Sequence, residues 1–568
     1  MKVKKKYFLL GIVTVISLLL IALVIATFLL NKFGLSYADS LTLSKVNSLN
    51  NEEIKNYNHQ LQYSYDVLHY NLNVELFDKE KKIKGETKLT LVPKDNFSGK
   101  VILNFKENFD ILKFNVNNKN SNYEFHNDKL SFNIPKEEKQ KLDTIEVTIE
   151  YIGKPENLGF GSFVFDKVNN QSVIYTLNEP IYASTWFPCN DIPFDKVLTD
   201  IYITNDSSKV SVSNGKLISE KIKGDKKTYH WKTVYPIATY LITIYSADYK
   251  YFNQQYISNF TDTTNIDYYV LEPELEKAKI DFSIHPEAMK IFSDIFGEYP
   301  FINEKYGVAE FTWNLGAIEH QTITGLGKDF ISGRKFFTSM LVHELAHQWW
   351  GNAVTPKTWK DIWLNEGFAT YSEALYFEKL SGSKSLQSTM VSFKNNFGSS
   401  TLYNPENLFS RAVYNKGAWV LHMLRKEVED STFFRILNTY YSNFKYKNAS
   451  TEDFIKTTEQ ISNRDFQKFF KQWVYEGAGK IELEYSYDVE KIDKGFEVFL
   501  EVEQIQNYYS SYHFSLDVKI EFTDKTTEYK TIFIDSRNKT AKFVFAKNVK
   551  TIYLDPENWL AADIIMKN

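Results

Sequence analysis

The segment His343-Glu344-Leu345-Ala346-His347, followed by Glu366, constrains this chain more than any other part of it. An α-helix turns about 100° per residue, so residues four apart lie on one face. His343 and His347 therefore aim at one point only if the segment is helical. Glu366 reaches that point only if a second helix lies beside the first. Two imidazoles and one carboxylate are three ligands of a zinc ion that keeps a fourth position for water. Glu344 sits among the ligands without being one, placed to take a proton from that water and pass it to a leaving amine. A lone His-Glu-x-x-His arises by chance in roughly one protein of this size in a hundred, and a Glu at one set distance makes it about tenfold rarer.

The flanks fit a buried site on rigid elements. Residues from Phe337 to Trp350 read as a mostly apolar helix, where His and Glu are costly unless they bind something. Gly351-Asn352 is expected to end it. A second helix is expected from Trp363 to about Leu380. His59, His69, His126, His230, His285, His422 and His513 show no comparable pairing and read as surface or ordinary packed residues.

Around this core, the residues from His343 to Asn352 and from Trp359 to Tyr371 resemble the aminopeptidase N family of gluzincin zinc peptidases. The metzincin pattern is excluded, because its Gly and His positions are Trp350 and Ala353. Four more stretches agree. Tyr299-Pro300-Phe301 is similar to the family's Tyr-Pro-Phe. Gly316-Ala317-Ile318-Glu319-His320 is similar to its Gly-Ala-Met-Glu-Asn, and Tyr414-Asn415-Lys416-Gly417-Ala418 to its Tyr-x-Lys-Gly-Ala. Trp186 to Pro193 resembles its Phe-Pro-Cys-x-Asp-x-Pro stretch. The resemblance implies one zinc ion on His343, His347 and Glu366, with Glu344 as general base. It further implies that Tyr414 donates its phenol to the developing oxyanion, that Glu319 holds the substrate's α-amino group, and that the Gly316-Ala317 backbone aligns the peptide. One departure stands out. Where the family has Thr-Gln-x-Glu-Pro this chain has Thr176-Leu177-Asn178-Glu179-Pro180, and Leu177 cannot hydrogen-bond as the Gln does. Asn178 and Glu179 are both open as substitutes.

With 568 residues, several domains are expected. A net charge of −4 leaves no nucleic-acid footprint; peptides are the partners that the resemblance implies. Cys189 is the only cysteine, so no intramolecular disulfide forms; it reads as a small buried apolar residue. Lys2, Lys4, Lys5 and Lys6 precede an uncharged apolar run from Tyr7 to Leu30, long enough to span a hydrocarbon core of roughly 30 Å. The lysines predict a cytoplasmic N-terminus with the remainder outside the cell membrane. The run is read as an uncleaved signal-anchor, with cleavage near Tyr37-Ala38-Asp39 and secretion as the alternative.

The expected fold class is multidomain α+β. Residues 1–33 are the transmembrane signal-anchor and 34–62 a tether. Residues 63–246 form an N-terminal β-sandwich or saddle domain, marked by alternation such as Thr144 to Glu150. Residues 247–479 form a thermolysin-like, α-rich zinc peptidase domain. Residues 480–568 form a small C-terminal β-sandwich. Many family members carry a further large helical domain, which this chain does not show, so a more open cavity is expected. The expected function is a zinc aminopeptidase. The alternatives are a membrane-bound zinc endopeptidase with relaxed N-terminal recognition and a catalytically silent surface-binding protein. Oligomeric state has no sequence signal.

Overall fold

A computed structural model describes residue 54 and residues 57–134, 144–394 and 397–567. The apolar run from Tyr7 to Leu30 lies outside them. Among the described residues no helix is long and apolar enough to cross a membrane.

The alternating patterns become sheets. In the strand Ile145–Gly153, Ile145, Val147, Ile149 and Tyr151 are buried while their neighbours face outward. It pairs antiparallel with Lys82–Pro93 on one side and Phe109–Val116 on the other. These belong to a nine-stranded sheet whose centre pairs Tyr65–Phe77 in parallel with Lys196–Asp206. A four-stranded sheet (Ser162–Val168, Gln171–Leu177, Val210–Ser213, Ile244–Ala247) sets Tyr175 and Tyr245 edge to face against Phe311. The last residues of the stretch read as a tether pack onto this region: the buried Gln62 amide donates to Asn104 at 2.5 Å and to Asn190 at 2.9 Å. His69 and His230 share a partner in this sheet. The parallel and antiparallel neighbours of Lys196–Asp206 bring them to either side of Asp200, at 3.0 and 2.6 Å.

A second body begins with a five-stranded sheet in the order Lys250–Ile257, Thr263–Val270, Tyr306–Phe311, Thr324–Gly327, Ala317–Ile318. Among the described residues Ala317–Ile318 is an edge, paired only with Thr324–Gly327. Helices follow: His285–Phe296 lies between the strands in sequence, and Thr338–Ala346, Trp363–Ser381, Gly417–Val428, Asp430–Phe444 and Thr451–Ser462 come after them. The helix Trp363–Ser381 is buried through most of its length, as its even coat of apolar residues requires. Beyond it, two sheets of four and three strands close the chain, with Val498, Leu500, Leu516, Val518 and Ile520 buried.

The first site helix is shorter than the expected Phe337 to Trp350, ending at Ala346. The His347 ring accounts for this. Its Nδ1 is bonded to the Trp350 carbonyl at 2.9 Å, so residues 347–350 wind into irregular turns. Gly351, at φ 121°, then reverses the chain into Val354–Pro356. A side chain is disfavoured in that backbone conformation.

Candidate active site

The helix Thr338–Ala346 and the start of Trp363–Ser381 meet at one point. His343 Nε2 and His347 Nε2 are 3.1 Å apart, and Glu366 Oε2 is 3.4 Å from each. Four tetrahedral ligands at zinc–ligand distances of roughly 2.0–2.1 Å lie about 3.3 Å from one another, so this triangle fits zinc. The outer contacts fix both rings. Glu373, two turns further along the same face of the helix that carries Glu366, bonds His343 Nδ1 at 2.8 Å. The Trp350 carbonyl takes His347 Nδ1. With both Nδ1 atoms occupied, both Nε2 atoms are committed inward, the arrangement that sets tautomer and ring orientation in metal sites. Glu366 Oε2 is buried and has no hydrogen-bond partner, as a ligand oxygen should be.

Electrostatics point the same way. Burial works against charge on His347, but Glu366 and Glu319 outweigh it and raise its pKa to about 9. Burial likewise opposes ionisation of Glu366, yet His347 and His343 hold it down to about 2. Glu344 is pushed up to about 8 by burial, with the two imidazoles pulling the other way. Glu319 and Glu179 are raised as well, by burial first and, for Glu179, by the neighbouring carboxylates Glu319, Glu366 and Glu344. So much buried acid is stabilised by cations.

All eight residues singled out from the sequence line one cavity of about 520 Å³: Gly316, Ala317, Glu319, His343, Glu344, His347, Glu366 and Tyr414. Glu319 follows the edge strand, and its carbonyl accepts from Asn352 Nδ2 at 2.6 Å, tying it to the turn after the His helix. Gly316 has φ 145°, and its carbonyl accepts from the Gly327 amide at 2.9 Å. Tyr414 sits in a π-helical turn, Ala412–Lys416, with its ring near-parallel to His343 and 6.0 Å from it. Burial and then Glu366 raise its phenol well above the usual value, so it remains a proton donor.

The choice left open at Asn178 and Glu179 is decided by geometry. Asn178 accepts from Trp186 Nε1 at 3.0 Å and donates to the Ile242 carbonyl, a scaffold role. Glu179 lines the cavity, and one carboxylate oxygen each from Glu179, Glu319 and Glu366 lie within 4.8 Å of one another. Leu177 is fully buried. His320 turns away to Tyr245, whose hydroxyl is 2.6 Å from its Nδ1. Glu373 was not read from the sequence, although seven residues after Glu366 is the same helical face.

Two glycines bring helices close together beside the site. A Cβ on Gly367 would lie 2.9 Å from the Cα of Gly417, and one on Gly417 would lie 2.8 Å from the Cα of Gly367. These glycines let the Glu366 helix and the Tyr414 turn come together.

Known proteins share this build. At 26% identity over 357 residues, the chain is similar to probable aminopeptidase 2 of Sulfurisphaera tokodaii, with 59% of this chain and 45% of that protein covered. At 29% identity over 331 residues it is similar to glutamyl aminopeptidase of Rattus norvegicus, covering 53% and 34%. This chain thus spans less than half the length of either relative. In fold it is similar to Legionella pneumophila aminopeptidase A in complex with aspartic acid, at TM-score 0.77 and 20% identity over 89% of this chain and 60% of that one. It also resembles a mutant M1 zinc metallopeptidase from Deinococcus radiodurans bound to a Tyr-Ser-Ala substrate, at TM-score 0.63 and 23% identity over 72% and 94%. The model of the peptidase M1 N-terminal domain matches residues 66–241, and that of the peptidase family M1 domain matches residues 287–473. With more than half of its residues matched by these two models, the chain belongs to peptidase family M1.

Proposed function

We propose that this protein is a zinc-dependent aminopeptidase, removing single residues from the N-termini of peptides. The observation that carries the reading is the grouping of Glu179 and Glu319 with Glu366 inside 4.8 Å. Two buried carboxylates form a seat for an ammonium group. Within one amino acid the amine nitrogen and the carbonyl carbon are only about 2.5 Å apart, as two bonds to a shared Cα require. An amine on Glu179 and Glu319 therefore leaves the first peptide bond, and no later one, beside the metal ligands.

The chain's own groups then have distinct tasks. His343, His347 and Glu366 would hold zinc, which when bound would supply a Lewis acid to polarise a carbonyl and acidify water. Glu344 accepts the proton of the attacking water and returns it to the departing amine. Tyr414 donates its hydroxyl to the carbonyl oxygen as negative charge develops there. The free edge Ala317–Ile318 offers backbone groups to an extended peptide, in the manner of strand addition.

A matched pair of peptides, one with a free amine and one N-acetylated, tests the reading. The free peptide should be cut from its first bond and the acetylated one spared. Equal cleavage of both would instead establish an endopeptidase.

The lysine-flanked apolar run from Tyr7 to Leu30 supports a second part of the proposal, an enzyme held at the cell membrane with its catalytic region outside. External protease should then digest the catalytic region of intact cells. Full protection in cells whose membrane is sound would refute this placement.

A further inference from the structure

One wall of the cavity takes no part in the chemistry above. Phe160, Trp313 and Phe409 come from three distant stretches and stand edge to face there. The Phe160 ring centroid is 5.6 Å from Trp313 and 5.0 Å from Phe409. All three are only half-buried and all line the cavity. Phe160 is at the tip of a turn between Gly159, at φ 54°, and Gly161, at φ 134°. The Gly161 amide closes the turn on the Leu158 carbonyl at 2.8 Å. A Cβ on Gly159 would meet the Tyr182 ring at 2.0 Å, so the turn is wedged in place and holds its phenyl group out over the cavity. The charged groups in the lining are one-sided. Among the described lining residues there are Glu179, Glu319, Glu344, Glu366 and Glu373, and no Lys or Arg.

We infer that this aromatic wall receives the side chain of the substrate's first residue, so that the enzyme takes peptides beginning with a large apolar or aromatic residue and rejects those beginning with Asp or Glu. The side chain branches from the Cα that joins the seated amine to the carbonyl at the metal ligands. It must therefore leave toward a wall that adjoins both. Trp313 lies on the connection between Tyr306–Phe311 and Ala317–Ile318, the strand just before Glu319; Phe409 precedes Tyr414, and Phe160 bridges them. Three rings in edge-to-face contact offer an apolar surface that extends the stack when another ring or a branched aliphatic chain enters. A carboxylate there would lose its water, find no cation, and face the acidic lining.

The inference rests on the aminopeptidase reading, and two measurements separate their failures. The first is a panel of Phe-, Leu-, Ala-, Asp- and Arg-aminocoumarins. In kcat/KM, Phe and Leu should exceed Ala by about 10-fold or more, the scale on which apolar pockets discriminate, and Asp should give no detectable rate. Phe160→Ala should narrow the Phe-over-Ala ratio, and Phe160→Leu should retain part of it. The second is calorimetric titration of zinc-loaded Glu344→Gln protein with Phe-Ala-Ala and Asp-Ala-Ala, where the first should bind and the second should not. Hydrolysis with Ala, Asp or Arg equal to or above Phe overturns the inference alone. Selective binding of Phe-Ala-Ala with no hydrolysis by the unsubstituted enzyme overturns only the aminopeptidase reading. Equal binding of both peptides overturns the inference whatever the activity.

Discussion

Gly367→Ala offers a sharp test because two effects of opposite sign meet there. Inside a helix, Ala is favoured over Gly by about 0.8–1.0 kcal/mol, so propensity alone expects a more stable protein. The structure expects otherwise. The new Cβ would lie 2.9 Å from both the Cα and the carbonyl carbon of Gly417. Carbon–carbon contacts settle at about 3.5–4.0 Å, so the two helices must part by roughly 0.6–1 Å. Backbone cannot yield as a side-chain tip can, and overpacking of this kind costs typically about 1–3 kcal/mol. Net stability should fall by about 0–2 kcal/mol, a modest drop in Tm. The larger consequence is for activity. Glu366 is the preceding residue, and Tyr414 is one turn before Gly417, so the displacement separates a metal ligand from the oxyanion donor. A shift near 1 Å in such groups is worth about 10²-fold in rate. Turnover of a Phe-aminocoumarin, zinc content and thermal melting of the purified variant give the three readouts. The expected pattern is a deep loss of kcat/KM with a folded protein. Wild-type kcat/KM together with a raised Tm would refute the helix-contact argument outright.

The remaining expectations concern the metal. Glu373→Gln keeps the shape of the His343 partner but removes its charge, and zinc affinity should fall about 10–100-fold, the usual effect of an outer-ligand change; competition with a chromophoric chelator measures it, and unchanged affinity would show that Glu373 does not tune His343. Zinc binding at pH 7 should release protons, since His347 stays protonated up to about pH 9 without metal and a ligand imidazole must be neutral. Titration calorimetry in two buffers of different ionisation heat would show it, and a heat independent of buffer would contradict it. The sign for stability follows from the same shift. A pKa raised from 6.5 to about 9 stabilises the metal-free fold below pH 6.5 and loses that contribution as pH rises through 9. Metal-free protein should therefore melt at lower temperature at pH 9.5 than at pH 6.

The metal set was legible because its periodicity is local. Residues four apart on one helix and a carboxylate at the start of the next need no tertiary knowledge, and Glu373 was within reach of the same argument. The alternating strand around Ile145–Gly153 was legible for the same reason. Other features were set by contacts between distant segments. The His helix stops at Ala346 because the His347 ring binds a carbonyl beyond it. Neither the pairing of His69 and His230 on Asp200 nor the entry of Glu179 rather than Asn178 into the cavity leaves a trace in spacing. The aromatic wall is the extreme case, since Phe160, Trp313 and Phe409 are each unremarkable in their own stretch.

The turn that carries Phe160 has a consequence for how such an enzyme can diverge. Bond-breaking depends on one short segment, from His343 to Glu373, plus Tyr414. On the proposed reading, choice of peptide depends partly on the Phe160 turn, which belongs to neither of the helices that carry His343 and Glu366. Substitution at that tip can redirect which peptides are consumed while every hydrolytic group stays where it is. If Phe160 sets the choice of peptide as proposed, diet and chemistry are separately heritable, and a shared metal signature is a poor guide to a shared menu.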